Sequence, residues 1–395
     1  MSKTLFRNFK LVSEDFKSHQ DGMAFFVIDG RIAWIGQQSK VPKTLKSAKE
    51  IDLKKKLVFP SFIECHTHAV FAGSRAAEFE RRNQGVSYLE IAAQGGGILS
   101  TVKATRCAKK SELLKVSQAR VNSFLKQGVS TLEIKSGYGL DLKCEIKILE
   151  VIKLLKGPRI VSTFLGAHAR PVEFMDNESY LNYLVDKVLP VIKKKKLSNR
   201  VDIFTESKFF EKDDSRKYLS AAKALGFDTT IHANQLSASG GADLAMELGS
   251  VSADHVIYLD DQHIQSFAKS NSVAVLLPAA DLYMKCAYPP ARQLIDGGAT
   301  VALATDFNPG TCPTFDLSLV GLLARLEMKM SLAEVFQAYT RGAAKALGLQ
   351  YQEGDLSVGK SANFICTEAD LTDFFYSAGV TPSHQLFIGG KLVKI

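Results

Sequence analysis

What the chain lacks narrows the field first. Its six cysteines (Cys65, Cys107, Cys144, Cys286, Cys312 and Cys366) are scattered through 395 residues without a CxxC pair. That pattern suits reduced thiols rather than a disulfide framework. No apolar run reaches the ~18 residues of a membrane span. Residues 1–10, MSKTLFRNFK, lack the apolar core of a signal peptide. The expectation is a cytoplasmic protein with no membrane partner. There are no internal repeats and no low-complexity linker, and no GxGxxG follows the first candidate strand, which weakens a doubly wound dinucleotide-binding sheet. The net charge is +9, with lysine runs at Lys54 to Lys56 and Lys193 to Lys196. These runs are short and carry no interleaved aromatics, so they read as solvated surface rather than a nucleic-acid footprint. A positive field does favour a small anionic substrate.

The composition, 46% hydrophobic and 23% charged, is that of an ordinary globular protein. Its length exceeds what one compact core usually holds, so one large domain plus a smaller one is expected. The first 59 residues read as short strands: Ala24 to Ile28, an Asp29-Gly30 turn, and Arg31 to Gly36 form a hairpin signature. The C-terminus reads alike, with Ala362 to Cys366, then Gln385 to Ile388, Gly389-Gly390 and Lys391 to Lys394. Segments 1–59 and 355–395 are therefore expected to pair into a small β-sandwich domain.

Residues 60–354 alternate strands with helical patterns. Candidate strands span 58–65, 129–135, 159–167, 201–206, 228–233, 251–256, 272–278 and 300–305, which predicts an α/β fold, a (β/α)8 TIM barrel. The stretch 69–128, with Gly85 and Gly95-Gly96-Gly97, reads as a loop-and-helix excursion over one barrel face. A barrel of this kind carries its chemistry at the C-terminal strand ends. His66 and His68 lie at the end of strand 1, and their i, i+2 spacing puts them on one face. Lys135 to Tyr138 follow strand 2, His168 ends strand 3, Glu206 strand 4, His232 strand 5, Asp254 and His255 strand 6, and Asp306 strand 8. His-x-His alone is a weak signal. The recurrence of ligating residue types at successive strand ends is far more specific.

His66, His68, His232 and Asp306 make a plausible mononuclear site for one divalent metal, which lowers the pKa of bound water toward about 7. Asp306 can also accept a proton, and His255 can polarise a carbonyl or stabilise an oxyanion. Strand alternation would turn Asp254 to the opposite face from His255.

Cys65-His66-Thr67-His68 with Phe71-Ala72-Gly73-Ser74-Arg75, Gly95-Gly96-Gly97-Ile98, Glu133 to Leu140 (EIKSGYGL), Gly166-Ala167-His168-Ala169, His232 to Leu236 (HANQL), Asp254-His255, and Ala304 to Thr311 (ATDFNPGT) together cover nearly the whole chain. In these stretches the sequence resembles the metal-dependent amidohydrolase superfamily and, more narrowly, its imidazolonepropionase family. The resemblance implies hydrolysis of 4-imidazolone-5-propanoate to N-formimidoyl-L-glutamate, with Zn2+ or Fe2+ bound by His66, His68, His232 and Asp306. It implies substrate contacts from Arg75, Tyr138, His168, Gln235 and Thr311, product contacts from Tyr138, Asn308 and Gly310, and a catalytic His255. It also makes a homodimer plausible.

Side-chain chemistry agrees: an arginine fork suits a propionate, and the glycines flanking Tyr138 let backbone approach a ligand. Tyr88 is a further candidate for the carboxylate. Gln235, three residues after the strand-5 histidine, can orient a ligand but cannot take a proton, so base duty falls to Asp306, with His255 beside it. Glu206 could bridge a second ion. A related amidohydrolase activity on a cyclic amidine, such as deamination, would share the metal set and differ in its substrate contacts.

Overall fold

The structure, a computed structural model, describes residues 2–45, 49–86, 90–91 and 95–394. Sixteen strands are found among them, in two sheets. Strands β6 (Phe62–Glu64), β7 (Val129–Lys135), β8 (Arg159–Ala167), β9 (Arg200–Thr205), β10 (Asp228–Ala233), β11 (Ser252–His255), β12 (Val273–Leu276) and β13 (Val301–Leu303) form one eight-stranded sheet in sequential order. Every neighbouring pair is parallel. Most of these strands are buried along their whole length, because helices cover the sheet outside and side chains fill it inside. The covering helices show how. Lys110–Lys126 buries Leu113, Ser117, Val121, Phe124 and Leu125, a stripe at helical spacing. This helix ends the 69–128 stretch, so its last part belongs to the barrel wall. The helices Ala76–Asn83 and Ile98–Cys107 precede it.

The first and last strands meet at their ends. Thr67 bridges Phe307, the His68 amide donates to the Phe307 carbonyl at 2.8 Å, and the Asp306 amide donates to the His66 carbonyl at 3.1 Å. The barrel therefore closes through the residues around His66, His68 and Asp306.

The second sheet comes from both chain ends: β1 (Lys3–Val12), β2 (His19–Ile28), β3 (Arg31–Gln37), β4 (Lys49–Asp52), β5 (Leu57–Pro60), β14 (Phe364–Thr367), β15 (His384–Ile388) and β16 (Lys391–Leu392). Its order is β16-β15-β14-β5-β1-β2-β3, with β4 also against β1. Phe6 of β1 meets Phe387 of β15 at 5.6 Å between ring centroids. Two strands separate them in the sheet, and a flat sheet would hold them about 14 Å apart. The sheet therefore curls over on itself around Phe6, Phe9, Phe25, Phe364 and Phe387, the layered form expected of a small sandwich.

The expected first barrel strand, 58–65, is two strands. Pro60 pairs with Phe364 in the terminal sheet, whereas Phe62 pairs with Val129 in the barrel. Pro60 has no amide hydrogen to continue a ladder, and the chain changes sheets at Ser61. Phe59 and Phe62, on either side of this switch, both pack against Phe336 and Phe374, so one aromatic cluster joins sheet and barrel.

Candidate active site

Strand ends β6, β10, β11 and β13 converge. Ligand atoms of His66, His68 and Asp306 lie within 4.8 Å of one another, as do those of His66, His232 and His255. All five residues are buried. The Asp306 Oδ1 atom is 3.5 Å from His66 Nε2 and 3.4 Å from His68 Nε2. Three strand ends turn in the left-handed region: Asn234 (φ 52°), His255 (φ 76°) and Asp306 (φ 54°). Asn, Asp and His tolerate this region better than other non-glycine residues.

This backbone turn corrects the reading of Asp254. Alternation would have sent it away from His255, but the strand breaks at His255, and both side chains face the centre. Asp254 Oδ2 lies 2.6 Å from His66 Nδ1. Asp202 Oδ2 lies 3.0 Å from His232 Nδ1. Each ring thus presents its Nε2 to the centre. Neither the His66 nor the His232 Nε2 has a hydrogen-bond partner among the described residues. Buried, unpartnered imidazole nitrogens next to a carboxylate fit a divalent ion, and carboxylates on the far ring nitrogens fix the rings as ligands.

Beneath them lies Lys135, 1% exposed. Its Nζ is 3.0 Å from Glu133, 3.0 Å from Asp202 and 3.6 Å from Asp254. Sequence reasoning missed Asp202 and Glu133, although each is a charge flanked by apolar residues within a candidate barrel strand. That anomaly could have flagged both, because a buried charge must be paired.

The electrostatics follow from this packing. Burial and the Lys135 charge oppose protonation of His66, but Asp254 and Asp306 outweigh them and push it up to about 9. Burial pulls His68 down to about 4. It also holds His168 and His255 neutral, well below their ordinary range. Burial alone would raise Asp306; the adjacent His66 and His68 rings instead keep it well below the carboxylate range.

A cavity of about 540 Å3 opens over the cluster, lined among others by Arg75, Tyr138, His168, Gln235, Asn308 and Thr311. His168 stacks on His68 at 5.3 Å between centroids and donates Nδ1–H to the Gly137 carbonyl at 3.1 Å, leaving Nε2 as an acceptor. Tyr138 lies 6.0 Å from the His68 ring and 5.4 Å from the His168 ring. Arg75 Nε pairs with Glu78 at 2.8 Å.

Two of the candidates shape the site from behind. The Asn308 carboxamide accepts from the amides of Gly310 and Thr311 and donates to the Asp306 carbonyl, so it organises the 306–312 loop. Gly310 lies against the Arg75 guanidinium; a Cβ there would stand 1.9 Å from Nη1. Glu206 is occupied as well. It accepts from the amides of Ser207, Leu236 and Ser237 and from the Ser237 hydroxyl, which leaves it a clamp on the loop after β10. Tyr88 lies outside the described residues. No helix among the described residues is long and apolar enough to cross a membrane.

Comparison with known proteins places this geometry. A model described as "Amidohydrolase family" matches residues 211–393. A zinc-bound adenosine deaminase from Xanthomonas campestris superposes with a TM-score of 0.74 at 16% identity, over 99% of this chain and 92% of that one. A triazine hydrolase variant does so with a TM-score of 0.75 at 16% identity, over 99% and 94%. At such identities these neighbours show the fold. In sequence, the chain is 53% identical to an imidazolonepropionase of Bdellovibrio bacteriovorus over 97% of its own length and 91% of that protein. It is 42% identical to one of Fusobacterium nucleatum over 92% and 89%. With that identity sustained across nearly the full length of both chains, the protein belongs to the imidazolonepropionase family of metal-dependent amidohydrolases.

Proposed function

We propose that the chain hydrolyses the cyclic amide of 4-imidazolone-5-propanoate, giving N-formimidoyl-L-glutamate. The observation that carries this reading is one cavity in which Arg75, Tyr138 and His168 stand over the cluster of His66, His68, His232 and Asp306. Those four residues would hold one Zn2+ or Fe2+, which as a Lewis acid activates water near neutral pH and polarises a carbonyl.

The chain's own groups supply the rest. Arg75 offers its guanidinium to the propionate. Tyr138 and the unprotonated Nε2 of His168 hold the ring. Gln235 orients it without exchanging a proton. Asp306 takes a proton from the attacking water and passes it to the ring nitrogen as the carbon–nitrogen bond breaks. The neutral His255 donates N–H to the oxyanion that forms on the carbonyl.

The test is turnover of freshly prepared 4-imidazolone-5-propanoate by metal-loaded protein. Ring opening well above a His66→Ala control is expected, and its absence overturns the proposal. Release of ammonia would point instead to deamination.

A further inference from the structure

Tyr138 and His168 come from different strands, yet both hang from one carboxylate. Glu145 lies in the first turns of the helix Leu142–Leu154 and is completely buried. It accepts from the Gly137 amide at 3.1 Å, the Gly139 amide at 2.7 Å and the Leu140 amide at 2.9 Å. The Ser136 hydroxyl is a fourth donor. No cation pairs with it among the described ion pairs; backbone and hydroxyl dipoles alone surround it, as in an anion-binding nest. The amides on both sides of Tyr138 are therefore tied to a single point. The Gly137 carbonyl, on the residue whose amide Glu145 holds, accepts from His168 Nδ1 at 3.1 Å.

The local glycines fit only this arrangement. A Cβ on Gly139 would lie 2.5 Å from the Glu145 amide nitrogen, and one on Gly137 would lie 2.6 Å from the Leu165 carbonyl oxygen. Gly137 also sits at φ 112°, which is open to glycine and strained for other residues.

We propose that Glu145 is a positioning residue for the substrate end of the site: it aims Tyr138 into the cavity and, through Gly137, fixes the orientation and tautomer of His168. Among the described hydrogen bonds and ion pairs none joins Glu145 to the four residues of the metal cluster, of which His66 faces Asp254 and His232 faces Asp202. Its loss should therefore loosen the grip on the substrate and leave the metal in place. The inference rests on the reading of Tyr138 and His168 as substrate contacts.

The experiment is Glu145→Gln, which keeps the shape but turns one acceptor oxygen into an NH2 facing backbone donors. Expected is a rise in KM for 4-imidazolone-5-propanoate of about tenfold or more, with kcat within about threefold and metal content and chelator-competition affinity as in wild type. Combined with Tyr138→Ala and His168→Ala, the Glu145→Gln change should add little further. Multiplicative effects would show that Glu145 acts elsewhere. An unchanged KM, or kcat and metal content falling together, overturns the proposal. If Glu145→Gln does not fold, Ser136→Ala decides it, because it removes one donor from the same carboxylate. A KM rise without metal loss supports the proposal, and wild-type KM refutes it. Wild-type turnover separately tests the substrate assignment, so the two failures are distinguishable.

Discussion

Asp254 Oδ2 and His66 Nδ1 stand 2.6 Å apart across 188 residues of chain. The contact fixes which nitrogen of His66 faces the centre, and it is the link most open to direct test. Asp254→Asn retains an acceptor but removes the charge. Metal affinity should fall about 10- to 100-fold, measured by competition with a chelator on folded protein.

The same carboxylate, with Asp306, holds His66 up to about 9 when no metal is bound. A metal taking the His66 Nε2 must displace a proton below that pH. Binding at pH 7 should release about one proton from this residue, and apparent affinity should climb about tenfold per pH unit toward 9. Calorimetry in buffers of differing ionisation enthalpy reads the proton count. No release at pH 7 would contradict the picture. Chelation should abolish turnover, and Zn2+ or Fe2+ should restore it.

Lys135 neutralises part of a buried group of carboxylates. Lys135→Met leaves Glu133, Asp202 and Asp254 together with no ammonium among them. The loss should be about 3–5 kcal/mol, read from urea unfolding of the metal-free protein. A change under 1 kcal/mol would mean that water reaches these carboxylates.

Gly310→Ala separates binding from stability. The new Cβ would overlap the Arg75 guanidinium, with contacts of 1.9 Å to Nη1 and 2.4 Å to Cζ. These atoms end a long side chain, so the fold can accommodate the methyl group while the guanidinium is displaced. KM should rise about tenfold with little change in unfolding midpoint. A wild-type KM would remove Arg75 from the substrate site.

His168 gives stability a pH dependence. Burial, followed by the nearby His68 and His232, holds its pKa well below the ordinary value of 6.5. The unfolded chain therefore takes up this proton first as pH falls. The stabilisation is complete above about 6.5 and is lost progressively below it. Urea unfolding of wild type and His168→Asn between pH 7.5 and 5 should show the wild-type advantage shrinking as pH drops. A constant difference would contradict a buried neutral ring.

Much of this was legible in the sequence because strand ends carry ligand-type side chains. His66, His68, His232, His255 and Asp306 each lie at or just past the C-terminal end of a barrel strand, and all five meet in space. What was not legible depends on backbone turns and on pairing between strands. The orientation of Asp254 hinges on His255 entering the left-handed region, which alternation cannot foresee. The split of 58–65 depends on which sheet offers Pro60 a partner. Asp202, Glu133 and Lys135 sit on two strands, β7 and β9, that are separated in the barrel by β8; only the folded cross-section reveals them as one charge cluster.

The barrel seam has a last consequence. Its first and last strands are stitched at the top by amides of His68 and Asp306, so the residues that would grip the ion stand on opposite edges of the closure. An ion held by His66 and His68 on one edge and Asp306 on the other would tie the two edges together. Such an ion would add a cross-link to a closure that backbone hydrogen bonds already make, at the point where the terminal sheet feeds in the barrel's first strand.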